Sequence, residues 1–242
     1  MVLQKTALVT GGNKGIGAEV ARQLAEAGMR VIIGARDRHR GEDAAHLLAE
    51  RGLDVRAVVL DVRDESTIAA AAQTIEDEEG ALDLLVNNAG IASWQDGPPS
   101  SSSLSAVREL LETNFVGALA VTQAMLPLLR RSEAPRIVNV SSALGSLAVN
   151  GDRTSPFYSA HSIGYNASKA ALNMLTVQLD AELGETGLTA ISVSPGFVKT
   201  DLLGGIGFIT AAEGAAVVVK AALDQGREAA GRHISAHGDI PW

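Results

Sequence analysis

The sequence predicts an α/β fold: one doubly wound parallel sheet with helices on both faces. Three observations predict it. Short runs rich in Val, Ile and Leu recur without alternating polar residues, as expected of strands buried on both faces. Longer stretches with helical spacing separate them, so the repeating unit is strand–helix–strand, whose crossovers lay successive strands parallel. No linker divides the 242 residues, a length that suits one domain with a sizeable core.

The elements follow in order. Strand 6–10 (Thr-Ala-Leu-Val-Thr) ends in a glycine-rich turn, and a helix runs over 17–27. Strand 30–34 (Arg-Val-Ile-Ile-Gly) leads to helix 41–51, and strand 54–60 to the alanine-rich helix 66–79. Strand 82–87 precedes a surface loop at 97–105, Gly-Pro-Pro-Ser-Ser-Ser-Ser-Leu-Ser. A long helix over 104–131 carries Pro127 near its end, where a kink is expected. Strand 136–141, a surface loop at 145–163, helix 165–185, strand 188–194 and a late helix 211–224 complete the series. Such sheets bind ligands at the carboxyl ends of their strands, at the switch point in strand order.

Composition narrows the function. The net charge of −8 argues against nucleic acid or an anionic membrane as partner. With no cysteine there are no disulfides, thiol nucleophiles or Cys-based metal sites. His39, His46, His161, His233 and His237 form no spaced ligand set, so no catalytic metal is expected. Met1-Val2-Leu3-Gln4-Lys5 runs straight into the first strand without a signal-peptide pattern, and no apolar run is long enough to span a bilayer. A cytoplasmic protein is the expectation.

Two constellations carry chemistry. The first strand ends Thr10-Gly11-Gly12-Asn13-Lys14-Gly15-Ile16-Gly17 where a helix opens. Glycines let the backbone approach a phosphate, and the helix start offers free N–H groups and the positive end of its dipole. The spacing is neither G-x-G-x-x-G nor a P-loop. The second strand leads into Ala35-Arg36, where NAD binders carry an acidic residue for the ribose hydroxyls. Arg36 instead matches a 2′-phosphate, with Lys14 and Arg40 adding charge, so NADP(H) is the expected cofactor. Further on, Tyr165 and Lys169 lie four residues apart at the start of an apolar helix, on one face. An ammonium beside a phenol favours the phenolate, so a lowered tyrosine pKa is expected, fit for proton transfer near neutral pH.

These motifs, with Asp61-Val62, Asn87-Asn88-Ala89-Gly90, Asn114, Ser141-Ser142 and Pro195-Gly196-Phe197-Val198-Lys199-Thr200, stand in the order and at the spacings of the short-chain dehydrogenase/reductases, which the chain resembles over nearly its whole length. It is most similar to the NADPH carbonyl reductases in Gly-Gly-Asn-Lys-Gly-Ile-Gly, Gly-Ala-Arg-Asp and the terminal Ile240-Pro241-Trp242. The resemblance implies a Rossmann-type single domain over 1–242 that is both dinucleotide-binding and catalytic. It implies that Gly11, Asn13, Lys14, Gly15, Ile16, Gly17 and Arg36 hold the cofactor's phosphates. By the same resemblance Asp61 and Val62 contact the adenine, Asn88, Ala89 and Gly90 line the cofactor, and Asn87 braces neighbouring strands. Pro195, Gly196, Val198 and Thr200 hold its nicotinamide end.

In the implied mechanism Tyr165 protonates a carbonyl oxygen as hydride arrives, and Ser142, rather than Ser141, orients that oxygen. Lys169 lowers the tyrosine's pKa and binds the nicotinamide ribose, and Asn114 holds a water linking Lys169 to solvent. The run from Ser142 to Tyr165 is longer than usual in the family; Tyr158 is nearer, but four residues on it has Ser162 and not a lysine. The insertion 143–164, with Phe157, Tyr158 and His161, is expected to rim a substrate pocket together with Trp94, Phe197, Leu202, Leu203 and Phe208. Such walls suit an apolar ketone or aldehyde. A glycine-rich segment at 201–212 is expected to act as a lid. The leading expectation is an NADPH-dependent reductase of a small-molecule ketone or aldehyde. A dehydrogenase of alcohols, sugars or steroids is the alternative, and a non-catalytic dinucleotide sensor the rival of another class. The resemblance leaves a homodimer, a homotetramer and a monomer open.

Overall fold

A computed structural model describes residues 4–224 and 226–242. Met1, Val2 and Leu3, on which the reading of a leaderless start falls, lie outside them. The strands are β1 (Thr6–Thr10), β2 (Arg30–Ala35), β3 (Val55–Val59), β4 (Leu84–Asn87), β5 (Arg136–Val140), β6 (Thr189–Val193), β7 (His233–Ser235) and β8 (Gly238–Asp239). They form one sheet in the order β3-β2-β1-β4-β5-β6-β7-β8, parallel except for the β7–β8 pair. The order reverses between β1 and β4, which pair directly, and this reversal makes the switch point.

Two cores sandwich the sheet. Along β1, Ala7 and Val9 face one side and Leu8 the other, because successive strand residues point to opposite faces. On the first side pack α1 (Gly15–Glu26), α2 (Arg38–Ala49) and α8 (Ala211–Leu223), through residues such as Val20, Leu24, Leu48 and Val218. On the second pack α3 (Glu65–Glu79), α5 (Gly117–Leu129) and α7 (Ile163–Leu183), through Ile75, Met125, Leu172 and Leu179. α4 (Leu104–Leu111) lies against α7, and the short α6 (Leu147–Gly151) falls in the insertion.

Three expectations change. The helix predicted over 104–131 is α4 and α5 joined by a π-helical turn, Glu112–Val116, and the departure from α geometry lies there and not at Pro127, inside α5. The insertion is not all loop: a 3₁₀ turn at Ala143–Gly145 and α6 occupy its first part. β7 and β8 were not predicted, because two or three residues give no periodicity to read.

Candidate active site

The glycine-rich turn sits at the carboxyl end of β1, at the switch point. Thr10 fastens it to β4: its hydroxyl donates to the Val86 carbonyl and accepts from the N–H groups of Asn88 and Ala89. Asn88 turns its carboxamide to the turn, donating to the carbonyls of Thr10 at 2.9 Å and Gly11 at 3.3 Å. A Cβ at Gly17 would collide with that carboxamide and lie 2.5 Å from the Gly11 oxygen. α1 opens with no side-chain cap and no acidic residue in its first turn. Among the described residues no acceptor takes up the N–H groups of residues 13–17, so the helix start is an open anion site.

Around it, Arg36 follows directly on β2 and is exposed. Its neighbours Arg38 and Arg40 pair with Glu42 and Asp37, whereas Arg36 makes no ion pair among the described residues. Lys14 reaches Asp201 at 3.1 Å. Asp61 follows β3 and accepts from the Arg63 N–H through one carboxylate oxygen. Val62 is buried against Gly117 at the start of α5. Asn87 donates to Thr122 and Asn139, bracing β4 against α5 and β5 as expected.

The catalytic candidates converge at the carboxyl ends of β4, β5 and β6. Ser142 follows β5; its oxygen accepts from the Leu144 N–H, and its hydroxyl is near enough to the Tyr165 phenol to act on its pKa. Ser141 instead donates to Asn173 at 2.6 Å, deep in the protein. Lys169 is buried, donates to the Val140 carbonyl at 2.8 Å and lies 5.8 Å from the centroid of the Tyr165 ring. Burial pushes its pKa down from 10.5 to about 8. The expected lowering of the Tyr165 pKa is not seen. Tyr165 is half-buried overall with its phenol enclosed, and burial raises the pKa, outweighing the hydrogen bond from Ser142 that lowers it.

Asn114 stands beside Lys169 at Gly90. It is buried in the π turn, where its oxygen accepts from the Ile91 N–H at 2.8 Å and its NH₂ donates to the Ile91 carbonyl and to Ser168, each at 3.0 Å. The carboxamide is therefore a brace between the segment after β4 and α7, with both its N–H groups committed. Its oxygen and the Lys169 ammonium both face Gly90, where a Cβ would stand 3.3 and 3.5 Å from them.

The family model described as short chain dehydrogenase matches residues 5–208. The chain belongs to this family. A short-chain dehydrogenase of Penicillium roqueforti, anuI, is 35% identical over 230 residues, spanning 92% of this chain and 90% of that one. Among solved structures, salutaridine reductase from Papaver somniferum superposes with a TM-score of 0.83 at 31% identity, over 95% of this chain and 99% of that one. The NADPH-bound carbonyl reductase from chicken fatty liver gives 0.86 at 29% identity, over 99% and 100%. The protein is thus an oxidoreductase of a family that uses nicotinamide dinucleotides, and the sheet reversal, the uncapped α1 and the Ser142/Tyr165/Lys169 cluster are this short-chain dehydrogenase's own features.

The rest of the predicted site divides in two. Beyond β6, Pro195 and Gly196 lead to Val198, which is buried and bridges to Ile209. Lys199 and Ile209, and Phe197 and Phe208, are joined by backbone hydrogen bonds, so the segment predicted as a lid is tied at its base. Residues 211–212 belong to α8, which starts at a capping box of Thr210 and Glu213. Thr200 lies beside Gly15, on which a Cβ would come 3.5 Å from the threonine methyl. Of the expected pocket walls, Phe197 and Phe208 stack edge to face at 5.2 Å and Trp94 lies by Gly204, while Tyr158 and His161 sit on the exposed turn of the insertion. The side chain of Leu203 lies outside what the structure describes. Sequence reasoning missed Asp96, whose carboxylate holds the start of α7. Its neighbours Gly97-Pro98-Pro99 read only as a loop, and its partners in α7 lie 68 and 69 residues away, too far for a local signal.

Proposed function

We propose that the protein reduces a ketone or aldehyde to an alcohol with NADPH. The observation that carries this reading is the meeting of Ser142, Tyr165 and Lys169 at the strand ends, next to an uncapped helix start. The residues present fit a phosphorylated dinucleotide. A cradle that a Cβ at Gly17 would fill lies beside N–H groups that no acceptor takes up among the described residues, and Arg36, which makes no ion pair among them, supplies positive charge for a 2′-phosphate, with Lys14, paired to Asp201, nearby in the turn. Asp61 keeps a carboxylate oxygen for the adenosine end, and Thr200 supplies a hydroxyl beside the glycine-rich turn. The NADPH-bound carbonyl reductase named above supports the same choice.

When bound, the cofactor supplies hydride. Everything else falls to side chains. The raised pKa of Tyr165 keeps its phenol protonated at neutral pH, the form from which a reduction starts. Ser142 Oγ–H, near the phenol, is free to turn to a carbonyl oxygen placed beside it and steady the charge that develops there. As the proton leaves Tyr165 Oη, the Ser142 bond and the Lys169 ammonium favour the phenolate left behind. The exposed aromatic side chains Trp94, Phe197 and Phe208 beyond β4 and β6 support an apolar substrate. Following NADPH absorbance against a panel of ketones and aldehydes, beside NADH, tests the proposal. Turnover with NADPH is expected; tight NADPH binding with no turnover on any carbonyl would leave only a dinucleotide sensor.

A further inference from the structure

We propose that Asp96 is a positioning residue for Tyr165: it caps the catalytic helix from across the cleft and thereby fixes where the phenol stands relative to Ser142. The inference rests on the reading of Tyr165 as proton donor.

The first N–H groups of a helix have no intrahelical acceptor, and a Ser just before the helix usually supplies one. Ser162 stands in that place in α7, yet its side chain makes no capping bond. Asp96 takes over. One carboxylate oxygen accepts from the Gly164 N–H at 2.9 Å, and the other from the Tyr165 N–H itself at 2.8 Å. The next residue continues the grip, because the Gly97 carbonyl accepts from the Ile163 N–H at 3.0 Å. All three leading amides of α7 thus end on Asp96-Gly97, and the next, that of Asn166, makes a bond to the Ser162 carbonyl.

Asp96 is itself held. Ser102 donates to its carboxylate at 2.9 Å and accepts from the Gly97 N–H at 3.3 Å. Gly164 is required by this arrangement: a Cβ there would come 2.8 Å from Leu110 of α4 and 3.1 Å from the Asp96 oxygen. Charge also favours the contact, since a carboxylate at a helix N-terminus meets the positive end of the dipole. Tyr165 is therefore held at its backbone by the segment after β4, while its phenol reaches toward Ser142 after β5. Trp94 stands two residues before Asp96, so the same short segment that seats the proton donor also carries an aromatic side chain at the mouth.

The test compares Asp96→Ala and Asp96→Asn in the whole enzyme, with active protein counted by NADPH-binding stoichiometry. Asp96→Ala is expected to lower kcat per NADPH site about 100-fold, as misplacement of a reacting group does, with NADPH affinity within about twofold of wild type. Asp96→Asn keeps one acceptor oxygen and should lose only about tenfold. Hydrogen exchange at the amides of 163–165, read by mass spectrometry, should quicken in Asp96→Ala while the rest of α7 stays protected. Unchanged kcat per NADPH site in Asp96→Ala, or a loss explained wholly by fewer sites, overturns the proposal. The exchange arm needs no turnover, so it separates failure of the cap from failure of the reductase reading: unaltered exchange sinks the cap even if the wild type reduces nothing.

Discussion

α1 and α7 both start beside the carboxyl ends of the strands, and neither has a side-chain cap of its own. Their amides are treated in opposite ways. Those at the start of α1 meet no acceptor among the described residues, and glycines keep side chains away. Those at the start of α7 are filled by a carboxylate and a carbonyl from another segment. One terminus chemistry thus serves two ends: an open helix start receives an anion, and a plugged one becomes a rigid mount for a side chain.

The largest effect should come from the mounted side. Tyr165→Phe removes the proton and should reduce kcat about 1,000-fold, within the range of lost general-acid catalysis, with NADPH affinity kept. Tyr158→Phe, on the exposed turn, should leave steady-state kinetics unchanged. Full activity in the first variant and none in the second would reverse the assignment.

Next, closing the open helix start should erase the contrast. Gly17→Ala drives a methyl against the Asn88 carboxamide and the Gly11 carbonyl, and a backbone oxygen cannot step aside cheaply. NADPH affinity, measured by fluorescence titration, should fall about 100-fold, in keeping with an overpacking cost of ~3 kcal/mol. A smaller loss is expected from Arg36→Asp: about 30-fold for NADPH, the scale of a hydrogen bond to a charged group, and little for NADH. Equal loss for both cofactors would detach Arg36 from the 2′-phosphate.

Local features were legible in the sequence and imported ones were not. Buried strands announce themselves as apolar runs, and the turn at 10–17 as glycines after a strand, because residues adjacent in sequence make the contacts that matter. Asp96 announces nothing, since its meaning lies in amides 68 and 69 residues further on. Spacing places Asn114 in the neighbourhood of the site but does not give the direction of its carboxamide. The Tyr165 pKa was misjudged in direction for a related reason: the Lys169 spacing counts a charge, and burial, which decides the sign, is a property of the assembled fold.

Lys169 offers a pH test in which activity and stability part. Its folded pKa, about 8, lies below the ordinary 10.5, so the ammonium is present below about pH 8 and lost above it. Reductive kcat/KM should therefore fall several-fold as pH rises through that value. Stability should move the other way, because between about 8 and 10.5 the unfolded chain binds the proton that the fold rejects, and unfolding then becomes harder as pH rises. Paired pH series of kcat/KM and urea midpoints check the sign; parallel trends would contradict it.

The smallest effect isolates a helix whose start is capped locally. α8 opens with Thr210 accepting from the Glu213 N–H while Glu213 accepts from the Thr210 N–H, a reciprocal box built within four residues of sequence. The helix packs on α1 in the core on one face of the sheet, and α7 packs in the core on the other. Thr210→Ala should cost ~1 kcal/mol, lowering Tm by about 3 °C, with kcat and NADPH affinity unchanged. If Thr210→Ala reduced kcat as Asp96→Ala is expected to, loss of any helix cap would suffice to disturb the site, and the separate meaning given to the plugged start of α7 would fall.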